Sequence, residues 1–401
     1  MLRRVFTAFE YRDFRLMWAG ACTSSIGTWM QKLAQSWLVL QLSGSAFMLG
    51  LDAFLGEIPI FLLALVAGVA ADRFDRRRLL IYSQMLQMSC AFVLAVLFAM
   101  GVVQVWHILA LSFVVGVAQA FGAPAYQSLL PSLVPREHLP NAIAMNSIQF
   151  NLARVVGPML GGLALAKLGA AWCFGLNGLS YIAVIISLMM ITTMFIPAPA
   201  RESVGESMRQ GLRFIGRQAG VKTLIAVSFA ATSLGVSIVT FLPVFARDVY
   251  GGNEATYTLL LTVESAGAIT GALLVAFRGK TDQLWRDAMI SLAGLGGCMI
   301  AFALAPSMML GLVFLFFGGL ALITCFAMMS SLIQFMATDE MRGRVMSIYN
   351  IAFRGGMPIG SLITGRLVED FAAKPVIAGE GAILVFIGLA MLVSNRRMLA
   401  E

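Results

Sequence analysis

Charged side chains stand inside long apolar stretches of this chain, among them Lys32, Glu57, Arg154, Glu264 and Arg354. Charges inside hydrocarbon are costly, so each is by default a functional hypothesis, with proton relays and ion pathways as the usual chemistry. Glu57 precedes Asp72 by 15 residues, and Glu264 precedes Arg278 by 14. At ~1.5 Å per helical residue each carboxyl lies about 21–23 Å from that boundary charge. Their offset of 207 residues makes them near-equivalents in two halves of the chain. Both are candidates for a protonatable, proton-coupling site. Lys32 lies 12 residues before Gly44 and Glu57 lies 13 after it, so the two share a depth on adjacent helices. A static Lys32–Glu57 ion pair and an exchanging one both satisfy that spacing. Glu264 has no such local cation, and Arg154 sits at a similar depth. Enzyme chemistry finds no support: His107 and His138 are too far apart in the expected topology to cooperate, and no Cys/His cluster or phosphate-binding loop is present. No metal and no cofactor is expected.

The elements that hold these groups are membrane helices. The chain of 401 residues is 59% hydrophobic and 12% charged, which excludes a soluble globular fold. A span needs roughly 20 apolar residues, and twelve such runs occur: about 15–41, 46–70, 78–100, 105–129, 140–166, 170–195, 222–246, 256–277, 287–305, 307–335, 343–367 and 375–395. Continuous apolar runs are the wrong pattern for barrel strands, so the fold class is all-α integral membrane. With both termini cytoplasmic, 21 of the 28 Lys and Arg residues lie in inner segments. The outer loops hold only Lys167, Arg247, Arg366 and Lys374. That asymmetry sets the orientation, and the net charge of +8 lies beside an anionic leaflet, with no nucleic acid required. The five cysteines lie within spans and read as packing residues. The first apolar run is too long for a secretory signal.

One polar interruption divides the chain into bundles 1–195 and 222–401, joined by a linker over 196–221. Within it Arg209, Arg213 and Arg217 share one face, which predicts an amphipathic helix on the inner membrane surface. The halves resemble each other. At an offset of 200, Ser147, Ile148, Arg154 and Pro158 meet Ser347, Ile348, Arg354 and Pro358. Such duplicated halves pack around a central cavity with substrate near the midplane.

Between spans 2 and 3 runs Gly68-Val69-Ala70-Ala71-Asp72-Arg73-Phe74-Asp75-Arg76-Arg77-Arg78. Its basic cluster faces the cytoplasm, and Asp72 is placed to cap a neighbouring helix N-terminus. The spacing of Gly68, Asp72, Arg73, Arg76 and Arg77 resembles the gate motif G-x-x-x-D-R-x-G-R-R of major facilitator superfamily transporters, with Asp75 where the second glycine usually stands. Gly157, Pro158, Gly161 and Gly162 in span 5 resemble the antiporter motif G-P-x-x-G-G, with Ala153 replacing an upstream glycine. Phe14 to Trp18, Gly27 to Gln31, Phe241 to Asp248 and Arg342 to Ser347 resemble the enterobactin-exporter and macrolide-efflux branch. The resemblance spans essentially the whole chain.

That resemblance implies twelve helices in two pseudo-symmetric six-helix bundles, in a bacterial cytoplasmic membrane. It implies secondary active transport by alternating access, with proton-coupled efflux of an amphiphilic drug or siderophore-like molecule, and a monomer. It also implies that span 5 lies beside span 8, so that Glu264 could exchange between Arg154 and a proton, a permanent structural ion pair of the two being the rival. Arg354 would be the equivalent partner for Glu57, and the proline-glycine kink of span 5 would be a pliable contact against span 8. Span 4 departs from many drug–proton antiporters, since Ser112 precedes Gly116 where they carry an arginine. Spans 1, 4, 7 and 10 would line the cavity with Ser24, Thr28, Gln31 and Gln35, with Gln119 and Tyr126, with Thr232 and Ser237, and with Thr324, Met328 and Ser331. Such residues also serve as interhelical hydrogen bonds. As a cavity they are neutral and partly apolar, suited to an amphiphile more than a sugar. An importer or lysophospholipid flippase of the same fold is the alternative, and a transport-inactive sensor a more remote one.

Overall fold

The computed structural model describes residues 6–192, 204–278 and 283–398. Among these, all regular structure is helical. Spans 1 to 6 are the helices Arg12–Ser43, Ala46–Arg73, Arg76–Ala99, Val105–Leu129, Leu139–Leu168 and Ala170–Met190. Span 7 begins as Ala219–Gly235 and then breaks. Spans 8 to 12 are Glu254–Arg278, Leu284–Ala303, Met308–Met336, Arg342–Phe371 and Ala373–Met398. Ten of these twelve positions are long and apolar enough to cross a membrane. Spans 1 and 11 are the two that fall short. The first is diluted by its Ser, Thr and Gln residues and Lys32, and the other by Asn350, Arg354 and its glycines.

Helix ends follow local chemistry. Asp75 caps span 3: its carboxylate accepts from the backbone N–H of Arg77 at 2.9 Å and of Arg78 at 3.2 Å. The Asp72 side chain lies outside the described residues, so its expected capping role does too. Gly44, Gly101 and Gly169 close spans 1, 3 and 5 at positive φ, a conformation that glycine adopts without penalty.

The chain forms two compact units. The first comprises Met1–Ser43 and Leu55–Arg201; the second comprises Gly44–Phe54 and Glu202–Glu401. The opening turns of span 2 therefore belong with the second unit, where a Cβ built on Gly365 of span 11 would lie 3.2 Å from the Ala46 carbonyl oxygen and from Gly50 Cα. In the first unit a core gathers around Phe14, Met17, Leu80, Leu129, Met145 and Leu188. In the second, Phe245 stacks on Phe302 with ring centroids 4.7 Å apart. Large apolar side chains such as Leu62, Phe277, Phe335 and Phe386 are exposed, the inverse of a soluble surface and suited to lipid.

Each unit uses glycine to bring backbones together, because helices in lipid associate by close packing. A Cβ at Gly157 would lie 2.5 Å from Trp29 Cβ, and one at Gly161 would lie 3.0 Å from Met30 Cα. Span 5 thus closes on span 1. In the second unit Gly356 and Gly360 of span 11 close on Phe229 and Ser233 of span 7 in the same way. The two glycine pairs make a like contact in each unit, at an offset of 199 residues, one short of the 200 that relates Arg154 to Arg354.

The linker helix runs over Val204–Arg217. Gly211 and Ile215 are buried, with Gly211 against Ile348 and Arg344 of span 11, while Arg209, Arg213 and Arg217 are exposed. Arg209 donates to Glu206 at 3.0 Å and holds that carboxyl below the ordinary glutamate range.

Candidate transport site

In the first unit, the polar residues of span 1 are joined to three other helices by hydrogen bonds. Thr28 Oγ1 lies 3.3 Å from the Tyr181 hydroxyl of span 6, which donates to Gln87 Oε1 of span 3 at 3.3 Å. Gln87 continues to Ser83, whose hydroxyl donates to the Ala118 carbonyl of span 4 at 2.6 Å. Asn177 of span 6 donates to Gln31 at 2.7 Å, Gln31 to Gln35 at 3.4 Å, and Gln35 to Ser112 at 2.9 Å. Ser112, which stands where the resemblance leads one to expect an arginine, is therefore an acceptor in a neutral network. Ser24 is buried, and its carbonyl takes the Thr28 hydroxyl at 2.9 Å. Gln119 is half-buried on span 4, and Tyr126 donates to Asn146 of span 5. Gln87, Asn177 and Tyr181 are members of the network that the sequence does not single out, although each is polar within an apolar span.

The same unit holds three of the intramembrane charges. Lys32 Nζ lies 3.8 Å from Glu57 Oε1, with the lysine half exposed and the glutamate partly buried. Between Lys32 and Arg154 stands Trp29, whose ring centroid is 5.6 Å from Lys32 Nζ and 5.9 Å from the Arg154 guanidinium. Cations at that distance from an indole are attracted by its quadrupole. Trp29 is thus the residue that organises the two cations. Its position in the Gly27–Gln31 motif makes it visible as resemblance but not as a site. The close approach of Gly157 and Gly161 presses span 5 onto the helix carrying Trp29, with Pro158 buried between them. The glycines meet span 1 within the first unit. Gly162 is buried on the same helix.

At the membrane-edge loop, Arg76 donates to the Ala71 carbonyl at 3.1 Å and to the Ser128 carbonyl at 3.0 Å, and Arg77 donates to the Met189 carbonyl. These arginines join the loop to the ends of spans 4 and 6, using the last carbonyls that a helix leaves unsatisfied. Arg73 is exposed at the end of span 2, and a Cβ on Gly68 would enter open space.

In the second unit Glu264 is 1% exposed, and its backbone carbonyl meets Gly319 of span 10. Ser265 donates to its carboxyl at 3.4 Å. Arg354 is exposed on span 11. Thr232 is buried, its hydroxyl on the Ser228 and Phe229 carbonyls at 3.0 Å. Ser237 is also buried, its hydroxyl against Glu380 of span 12. On span 10 Thr324 and Met328 are buried and Ser331 is exposed. Glu380 is a buried carboxyl that spacing alone does not pick out, because it lies near the start of a strongly apolar run.

Comparison with known proteins agrees with this architecture. The family model described as transmembrane secretion effector matches residues 4–400. The multidrug efflux pump Tap of Mycolicibacterium fortuitum is 28% identical over 360 residues, 87% of each chain. The enterobactin exporter EntS of Shigella boydii is 25% identical over 94% of this chain and 91% of its own. The staphyloferrin A transporter of Staphylococcus aureus is 23% identical over 93% and 94%. Among solved structures, a point mutant of the nucleoside transporter NupG superposes with a TM-score of 0.79 at 13% identity, covering 95% of this chain and 99% of that one. That likeness speaks for the fold alone. The chain is therefore a multi-pass membrane protein with the major facilitator fold of secondary transporters, and it belongs to the transmembrane secretion effector family.

Proposed function

We propose that this protein exports an amphiphilic small molecule across the bacterial cytoplasmic membrane by alternating access, driven by protons. The observation that carries the reading is the end-to-end likeness to relatives named for efflux of drugs, macrolides and enterobactin. The neutral network of Thr28, Gln31, Gln35, Gln87, Asn177 and Tyr181 supports it. Amides and hydroxyls with both donors and acceptors can rearrange around varied ligands without leaving a charge exposed. In this reading both termini are cytoplasmic, as the Lys and Arg distribution favours, the two bundles are 1–195 and 222–401, and the working unit is a monomer. Glu264 is the coupling carboxyl, with Arg154 as its alternating partner. Lys32, Glu57 and Arg354 serve as secondary charges.

The test uses inverted membrane vesicles containing the protein, with an imposed pH gradient and labelled macrolides, catecholate siderophores, lysophospholipids and sugars. Accumulation of an amphiphile that collapses with the gradient is the expected result, and Glu264→Gln should abolish the gradient dependence. Movement in the opposite direction, or of lysophospholipid alone, would replace the exporter with the importer or flippase alternative.

A further inference from the structure

Span 7 is not one continuous helix. It ends at Gly235, resumes for Ser237–Thr240, and passes through Leu242–Val244 into a π-turn over Phe245–Val249. Gly235 is enclosed by Leu295, Leu322 and Leu384 from three neighbouring spans. Immediately after the break, Ser237 Oγ lies within hydrogen-bonding reach of two oxygens, the Leu234 carbonyl and Glu380 Oε2. The other carboxyl oxygen of Glu380 accepts from the Thr364 hydroxyl of span 11. Glu380 is 5% exposed, with Ile377 and Leu384 fully buried one turn to either side.

Proton counting makes this arrangement a switch. A serine hydroxyl carries one proton and can satisfy one acceptor. If Glu380 is ionised, Ser237 and Thr364 both donate to it, and the Leu234 carbonyl loses the serine. If Glu380 is protonated, its O–H donates to Ser237 Oγ, and Ser237 donates onward to Leu234. Every donor then has an acceptor. A buried carboxylate is costly unless paired, and among the described residues Glu380 meets hydroxyls only.

Other ionisable groups on the elements packed around Glu380 are engaged elsewhere or distant along their helices. On span 11, Arg366 pairs with Asp370 at 3.0 Å, and Glu369 accepts from Ser45 at 3.0 Å. Arg354 and Tyr349 lie ten and fifteen residues before Thr364. On span 9, Cys298 faces Gly318 of span 10, while Arg286 and Asp287 occupy the first turn. On span 7, Arg247 pairs with Asp248 beyond the break, and Lys222 lies at the start of the helix. On span 12 itself, Lys374 is six residues earlier.

We propose that Glu380 is a second-unit proton-binding site, and that its proton is read out through Ser237 as a change in bonding at the break of span 7. The proton comes from water and returns to water, and no covalent bond changes. The proposal rests on the proton-driven reading above and deepens it, since a cavity-lining helix would sense protonation at its weakest point. Glu380 is a positioning residue in this scheme, acting on span 7 through Ser237.

Infrared difference spectra of the purified, lipid-reconstituted protein test it directly. A protonated-carboxyl C=O band at neutral pH should disappear in Glu380→Gln. It should shift in frequency in Ser237→Ala, which removes the acceptor of the Glu380 proton. An unchanged band in Glu380→Gln overturns the site, and an unshifted band in Ser237→Ala overturns the relay. If Glu380→Gln fails to fold, Glu380→Asp supplies the same readout through a displaced band, and an undisplaced one counts against the site. In vesicles, Glu380→Gln should retain substrate exchange without a pH gradient while losing gradient-driven accumulation; retention of both overturns the coupling. A wild-type protein that moves none of the labelled panel would sink the exporter reading, while the spectra would still decide whether Glu380 binds a proton.

Discussion

Replacing Gly157 with alanine places one methyl group in the tightest described contact between spans 5 and 1. The new Cβ would sit 2.5 Å from Trp29 Cβ and 2.8 Å from the Ile26 carbonyl oxygen. Carbon atoms in favourable contact stand about 3.5–4.0 Å apart, so the helices must separate by roughly 1 Å or the local backbone must shift. Neither relief is cheap, because Trp29 Cβ is the rigid root of its side chain and the carbonyl is backbone. Overpacking of this kind costs about 1–3 kcal/mol. Against it stands the helix-propensity gain of alanine over glycine, about 1 kcal/mol. Gly175 in span 6 isolates the second effect, since nothing lies within 4 Å of a Cβ built there. Gly175→Ala should therefore stabilise, while Gly157→Ala should be less stable than Gly175→Ala by about 1–3 kcal/mol. Thermal unfolding of the two variants and wild type, in one detergent and followed by tryptophan fluorescence, measures the difference. The Gly157→Ala variant should also lose the indole environment set by Lys32 and Arg154. Equal stability of the two alanine variants would refute the claim that the motif glycines hold span 5 against span 1.

Three further outcomes follow from the same geometry. Lys32 and Glu57 meet at 3.8 Å with the lysine half exposed, so a double-mutant cycle with Lys32→Gln and Glu57→Gln should return a coupling below about 1 kcal/mol; a value several times larger would mean that the pair is dehydrated. Tyr181→Phe removes the hydroxyl between Thr28 and Gln87 and should cost about 0.6 kcal/mol in thermal or chemical unfolding, and no more than about 1.7, the mean and maximum for interhelical hydrogen bonds in membranes. Asp75→Ala should cost about 1 kcal/mol by loss of the span 3 cap, with Asp75→Asn close to wild type because its side-chain oxygen still accepts; equal loss in both would assign the effect to charge instead.

Span positions are legible in the sequence because a membrane helix must satisfy its own backbone and present apolar side chains over its whole length. That leaves a signal no tertiary context can erase. The close approach of Gly157 and Gly161 is equally legible as small residues four apart, but the helix they admit is not. Spacing defines a face of one helix, and the identity of the opposing helix depends on how the bundle closes. Ser237 illustrates the same limit. Its place on span 7 makes it a cavity candidate, yet its hydroxyl meets Glu380, 143 residues later in the chain. The cap of span 3 is a smaller case. Asp72 and Asp75 both precede the arginine run, and only the backbone path shows that span 2 continues to Arg73 and leaves Asp75 as the cap.

The polar groups divide differently in the two units, and this bears on how a transporter of this fold could work. In the first unit the neutral side chains of spans 1, 3, 4 and 6 satisfy one another in a chain of hydrogen bonds, with Lys32, Trp29 and Arg154 grouped on spans 1 and 5. In the second unit the buried polar groups include four carboxyls, Asp52 on span 2, Glu264 on span 8, Asp287 on span 9 and Glu380 on span 12. Both units close a helix pair through two glycines four apart, and each carries an arginine on the glycine-bearing helix, Arg154 and Arg354, so the units differ in which polar groups those frames hold. A neutral, exchangeable network suits recognition, because its members can re-pair around a ligand at little cost. A buried carboxyl suits energy coupling, because the binding of one proton changes its hydrogen-bonding from acceptor to donor. Glu264→Gln and Glu380→Gln should therefore alter the pH dependence of transport while leaving the ranking of substrates intact, and substitutions at Gln31 or Asn177 should do the reverse.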